Sequence, residues 1–121
     1  GRLAVGLVTL NRVEMREYPD TICGVVHQGP TYTNWKGITW PVKHKCQFSW
    51  YCDGKKDEPN FESNTWSLAL EHASIMLTKT IVLDVTEGAT HYHATYVRPA
   101  WAKTKTRTTR IDRHIFYRWE R

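Results

Sequence analysis

The 121-residue chain has no apolar run approaching the roughly 20 residues that a membrane-spanning helix needs. Its three cysteines are too few for the disulfide framework of a small secreted scaffold, and a single bridge would leave one thiol over. Acidic residues are in the minority, 12 Asp and Glu against 17 Lys and Arg, so the net charge of +5 favours an anionic partner: nucleic acid, a membrane surface or cell wall. No carboxylate pair stands out as the acid and base of ordinary glycoside hydrolysis. Glu14 and Glu17 lie three apart at a helix end, Glu58 and Glu62 flank a loop and a helix start, and all four read as solvated surface acids. Internal repeats are absent, and the only compositionally narrow stretch runs from Lys103 to Arg110. At 40% hydrophobic and 24% charged residues the chain is neither disordered nor fibrous, and its length suits one domain.

Aromatic residues and histidine are plentiful: six Trp, six Tyr, three Phe and six His. Such a set lines a groove for sugars or bases, or divides between core and surface. The chain opens at Gly1 without Met and runs at once into apolar residues, which suggests a preceding segment that was removed or left out.

Leu3 to Met15 is apolar around most of a helical circumference and predicts a buried central helix. Asp20 is the expected N-cap of a short turn through Ile22, Val25 and Val26 that stops at Gly29-Pro30. Thr31 to Lys45 fits no period and is expected to be an ordered loop at the edge of a groove. Gln47 to Tyr51 reads as a short strand with Gln47 and Ser49 on one face and Phe48 and Trp50 in the core. A second helix, capped by Asn64, is expected to bury Trp66, Ala69, Leu70, Ala73, Met76 and Leu77 as one stripe reaching about Lys79. Ala89 to Val97 and Thr109 to Trp119 read as two strands, joined by a long return through Arg98 to Thr108.

His91 and His93 share one face of their strand, with Tyr92 on the other, and His114 lies on the expected partner strand. Three converging imidazoles would make a catalytic zinc site with one open position; histidines that hydrogen-bond in a groove or core are the competing reading. Ser49, His93 and Asp112 assemble on paper into a nucleophilic triad, but no G-x-S-x-G elbow surrounds the serine. Lys103, Lys105 and Arg107, continued by Arg110 and Arg113, form either a solvated hairpin loop or an attractor for a polyanion.

Several stretches, in order, carry a more specific message. They are Gly1-Arg-Leu-Ala-Val-Gly-Leu-Val-Thr-Leu-Asn-Arg-Val13, Tyr18-Pro-Asp-Thr-Ile-Cys-Gly-Val-Val26, Cys46-Gln-Phe-Ser-Trp-Tyr-Cys-Asp53, Ala89-Thr-His-Tyr-His-Ala94, the pair Pro99 and Trp101, and Ile111-Asp-Arg-His-Ile-Phe-Tyr117. Together they resemble the SleB/CwlJ-type cell-wall hydrolase family, named for spore-cortex-lytic enzymes and also found in phages.

The resemblance implies a lysozyme-like α+β single domain over residues 1–121, with a buried central helix, a second amphipathic helix and a small antiparallel sheet. It implies cleavage of the peptidoglycan glycan strand, as a lytic transglycosylase that needs one Glu and no cofactor. The family's Glu lies in a Gly-Glu-Ala-Arg-Gly-Glu-like segment preceding the residues that match Gly1 to Val13. It is therefore expected upstream of Gly1, the domain is expected to lack its N-terminal segment, and this chain alone is expected to have little activity. None of Glu14, Glu17, Glu58 or Glu62 takes the role.

Substrate contacts are expected from Gln47, Ser49, His91, Tyr92, His93, Trp101 and His114, with Leu7, Leu10, Leu70 and Met76 in the core. Peptidoglycan is the expected partner, with Lys103, Lys105, Arg107 and Arg110 drawn to an anionic wall surface, and nucleic acid is not favoured. The cell wall or periplasm is the expected site of action, and the parent is a bacterial or a phage protein. The alternatives are a zinc-dependent amidase using His91, His93 and His114, or a non-catalytic wall-binding or nucleic-acid-binding module. Cys46 and Cys52 are the expected disulfide pair. A straight strand would hold their Cα atoms roughly 20 Å apart, so the bridge demands a sharp bend, and a continuous strand would leave all three thiols reduced. With the bridge formed, Cys23 is the expected buried free thiol.

Overall fold

The computed structural model describes residues 2–56, 58–78 and 84–120. Helix α1 (Arg2–Val13) is the central element. Ala4, Leu7, Val8 and Arg12 recur at helical spacing along its buried face. Ala4 and Val8 meet Ala89 and Phe116 in the core, and the half-buried Tyr92 and Ile111 close over them. Phe116 and Val8 are fully buried, each worth roughly 1.5–3 kcal/mol relative to exposure.

Helix α2 (Ile22–Val26) is capped by Thr21 rather than Asp20: the Thr21 hydroxyl accepts from Gly24 N at 3.0 Å. Helix α3 (Asn64–Leu77) begins at Asn64, the expected cap, because the cap is one residue earlier: the Ser63 hydroxyl accepts from Trp66 N at 3.1 Å. Its expected buried stripe is a correction. Trp66, Ala69, Ala73 and Met76 are only half-buried, Leu70 is 51% and Leu77 66% exposed, and Lys79 lies outside the described residues. The helix meets α1 where Met76 lies against Gly6, a position at which a Cβ would collide with the methionine sulfur and methyl.

Residues 31–45, expected as a loop, contain an antiparallel hairpin, β1 (Thr31–Thr33) and β2 (Thr39–Pro41), with Tyr32 opposite Trp40. The Asn34 carboxamide oxygen accepts from Lys36 N and Ile38 N, and Gly37 supplies the left-handed residue, φ 79°, that reverses the chain.

The main sheet is antiparallel in the order β3-β5-β4, from β3 (His91–Ala94), β4 (Thr106–Ile111) and β5 (His114–Arg118). The expected long strand over 109–119 is therefore two strands, turned at Asp112, whose φ of 52° is one that Asp tolerates. The return segment is ordered as well: Ala100–Thr104 forms a 3-10 helix, and part of the basic run becomes edge strand β4. Among the described residues no helix is long and apolar enough to cross a membrane.

Candidate functional site

Cys46 and Cys52 are joined, with Cα atoms 6.2 Å apart. The expected strand between them is instead a 3-10 helix, Ser49–Cys52, which supplies the bend that the bridge requires. Phe48 is buried as expected, while Trp50 is 45% exposed and leaves the core. The loop is fastened to its surroundings by Gln47 N donating to Gln28 O and His44 N donating to Cys52 O, both at 3.0 Å. Cys23 is exposed, not buried, because the short α2 turns it outward from the packed Val25.

Along the free edge of β3 runs a cleft of about 510 Å³. Gln47, Ser49 and Trp50 from the disulfide loop line one part of it, and Tyr96, Val97, Pro99 and Trp101 line another. His91, Tyr92, His93 and His114 come from the sheet, and Arg12 from α1. All seven expected contact residues thus meet in one place. A wider hollow of about 1010 Å³ shares Trp50, Tyr92 and His114 with the cleft and extends between Val5 of α1 and Ala69, His72 and Met76 of α3.

The sheet register decides which side chains act together. His91 stands opposite Tyr117 and His93 opposite Ile115, whereas His114 pairs with Ala94 and shares the face of Tyr92, its ring 5.2 Å from the tyrosine's. His114 therefore points away from His91 and His93, and the three-imidazole arrangement is not formed. The His93 Nε2 pairs with the Tyr117 hydroxyl at 2.9 Å and its Nδ1 with Ala94 O at 2.7 Å. Both ring nitrogens are engaged away from Ser49, which removes the paper triad. Trp101 packs 5.0 Å from His91, 5.7 Å from His93 and 5.2 Å from Tyr117, an aromatic wall anchored by the 3-10 helix after Pro99.

Among the described residues no Asp or Glu lines the cleft, and Asp112 lines the wider hollow beside it. Glu14, Glu17, Glu58 and Glu62 are all exposed. Arg12 is buried, donates from Nε to Thr90 O at 2.7 Å, and lies 5.0 Å from the Tyr18 ring and 5.1 Å from that of Phe48. Burial, together with the charges of Arg12 and Lys105, pushes the His91 pKa down to about 4. At neutral pH His91 is thus an uncharged ring, with Nδ1 2.9 Å from the Thr90 hydroxyl. Burial also raises the pKa of Tyr92, which keeps its phenol protonated.

Of the expected wall-binding cations, Lys103, Arg107 and Arg110 are exposed, while Lys105 is half-buried with its ammonium 5.1 Å from the Trp119 ring. Arg12 is the residue that sequence reasoning passed over. It falls four residues after Val8 and eight after Ala4, so helical period placed a charge on the apolar face of α1.

No curated protein matches this sequence. Two solved structures share its fold. The catalytic domain of the germination-specific lytic transglycosylase SleB from Bacillus anthracis is 23% identical, with a TM-score of 0.62, and the match covers 97% of this chain and 77% of that one. The catalytic domain of the Bacillus cereus SleB protein is 21% identical, with a TM-score of 0.58, covering 97% and 73%. The cell wall hydrolase model matches residues 1–117, which include every residue placed in the cleft, and the chain belongs to that family of peptidoglycan-degrading enzymes.

Proposed function

We propose that this protein cleaves peptidoglycan glycan strands as a lytic transglycosylase, at the bond from muramic acid to N-acetylglucosamine. The observation that carries this reading is a cleft rich in aromatic groups that no carboxylate lines among the described residues, while the wider hollow beside it holds a single one, the exposed Asp112. A hydrolase of the ordinary kind needs a second carboxylate to activate water. A transglycosylase needs one. Its Glu first gives a proton to the glycosidic oxygen as the C1–O bond breaks. The resulting carboxylate then takes the proton of the same muramic acid's 6-hydroxyl, whose oxygen closes on C1. The product ends in a 1,6-anhydro ring, and no water is consumed.

The acid belongs, on this proposal, to the segment expected before Gly1. Gln47 and Ser49 then hydrogen-bond N-acetyl and hydroxyl groups, Trp101 stacks on a sugar ring, and either Tyr92 or the opposite face with His91 and His93 borders the scissile bond. Lys103, Arg107 and Arg110 draw the domain to an anionic wall surface. Action follows in the cell wall or periplasm of a bacterium, or from a phage lysis or virion protein.

Mass spectrometry of fragments released from purified sacculi tests the reaction. A chain carrying the upstream Glu is expected to release 1,6-anhydromuramic ends, and the chain of residues 1–121 little or nothing. Reducing ends would refute the transglycosylase assignment. Efficient release by residues 1–121 would refute the placement of the acid.

A further inference from the structure

Hairpin β1–β2 gathers exposed apolar side chains on one small element: Tyr32 is 53%, Trp35 88%, Ile38 45% and Trp40 49% exposed. Residues directly opposite in an antiparallel pair share a face, so Tyr32 and Trp40 make one aromatic pair. Thr33 and Thr39 turn to the other face, where their hydroxyls lie 3.1 Å apart. Trp35 stands in the turn that the Asn34 carboxamide holds in shape, and the Lys36 ammonium lies 5.1 Å from its ring. Single exposed apolar residues scattered over a surface mean little, but a group of them marks an interaction surface.

Two observations point to the occupant. The first is charge. From Thr21 to Cys52 the chain has no Asp or Glu and carries Lys36, Lys43 and Lys45, all exposed, so the partner is anionic as well as able to stack on rings. The second is continuity with the cleft. At the open end of the hairpin Val42 N donates to Pro30 O, and Val42 O lies 3.3 Å from the Sγ of Cys52. His44 N donates to Cys52 O and Gln47 N to Gln28 O, so both ends of the hairpin are fastened to the disulfide loop that lines the cleft. A bilayer suits the hairpin less well, because its turn leads with Asn34 and Lys36, and a charge is costly inside hydrocarbon. We propose that the hairpin is a second contact for the peptidoglycan strand, outside the cleft. Tyr32, Trp40 and Trp35 stack on sugar rings, and the three lysines meet carboxylates of the muramyl and peptide groups. A strand held at two places binds the second intramolecularly, so long strands are held more tightly than fragments that fill the cleft alone. This inference rests on the peptidoglycan reading above and adds to it how the enzyme stays on an insoluble polymer.

Retention on purified sacculi stripped of teichoic acid tests the contact. It is measured with residues 1–121 and with the longer chain whose upstream Glu is replaced by Gln, so that it binds without cutting. Trp35→Ala, and Tyr32→Ala combined with Trp40→Ala, are each expected to bind sacculi about tenfold or more weaker, with binding of a muropeptide disaccharide unchanged. Trp35→Ala decides the outcome if the double variant loosens the hairpin, since that ring is 88% exposed. Sacculi with amidated carboxyl groups are expected to retain the unaltered protein less well, and equal retention overturns the role of the lysines. Unchanged retention of Trp35→Ala overturns the contact and leaves the glycan-cleavage reading intact. A loss seen in residues 1–121 but not in the longer chain does the same, because the preceding segment then covers the hairpin. A Trp35→Ala loss on phosphatidylglycerol vesicles in place of sacculi assigns the hairpin to a lipid surface and also overturns the contact. Binding of neither sacculi nor disaccharide by any of these chains overturns both readings.

Discussion

Removing the Cys46–Cys52 bridge tests whether the loop that carries Gln47, Ser49 and Trp50 is held by the covalent link or by its packing. The bridge spans a sequence separation of six. Cross-linking so short a loop removes chain entropy from the unfolded state worth about 2 kcal/mol at 25 °C. For a chain of 121 residues this corresponds to a fall in Tm of roughly 8 °C. The double substitution Cys46→Ala with Cys52→Ser isolates the effect. Position 52 is buried, but its Sγ lies 3.3 Å from Val42 O, so a serine hydroxyl there has an acceptor and adds no unpaired polar group. Phe48, the Gln47 N bond to Gln28 O and the His44 N bond to Cys52 O all remain. The loop should therefore loosen while the sheet and α1 persist. Thermal unfolding of the oxidised protein, the protein in dithiothreitol and the double variant should give two low and nearly equal Tm values and one high one. Glycan binding should weaken in the same two samples, because Gln47 and Ser49 lose a fixed position. A Tm shift under roughly 2 °C, or unchanged binding after confirmed reduction, would refute the reasoning.

His91 should titrate near pH 4 by NMR. Its folded pKa lies below the ordinary 6.5, so the unfolded chain takes up the proton first. Its contribution to stability is complete above pH 6.5, is lost as the pH falls towards about 4, and should vanish from the pH–stability slope in His91→Gln; a midpoint near 6.5 refutes this. Phe116→Ala should cost about 3–5 kcal/mol in urea unfolding, since the ring is fully buried against α1 and Ala89, and a loss under about 1 kcal/mol would show that the core collapses around it. Trp101→Ala should weaken binding to glycan fragments by about tenfold or more while leaving Tm within a few degrees, because the ring is half-buried at the cleft wall; unchanged affinity excludes it as a sugar platform.

What was legible in the chain follows from which physical signals are local. Helix α1 was legible because its apolar residues repeat over three turns, and the meeting of Gln47, Ser49, His91, His93, Trp101 and His114 followed from the ordered motifs. The hairpin β1–β2 escaped because each strand has three residues, too short for alternation to show, although Asn34 and Gly37 between two Thr-aromatic pairs were a usable turn signal. The expected stripe on α3 failed for a different reason. Periodicity reports which residues share a face, and it does not report how much of that face another element covers. Here Leu70 and Leu77 remain exposed although Met76 of the same helix meets Gly6 of α1.

Long-range register is the information that no local pattern carries. His-Tyr-His correctly placed two imidazoles together, but the face of His114 depends on which residue of β5 stands opposite which residue of β3, and a shift of one residue reverses it. The observed pairing of Ala94 with His114 sends that imidazole to the side of Tyr92 and Phe116, where its Nδ1 is buried without a partner among the described residues. Arg12 shows the converse. Its position on the core face of α1 was available from spacing alone, yet a charge at such a position has two opposite meanings, a snorkelling surface residue or a buried one. Only the closure of Phe48, Tyr18 and Thr90 around it selects the second, and these lie in three separate stretches of the chain. The disulfide holds the first of them, the capped turn before α2 leads on from the second, and the strand that bears the histidines begins directly after the third. The same closure that desolvates the guanidinium buries His91, and that burial, reinforced by the charges of Arg12 and Lys105, holds the imidazole neutral.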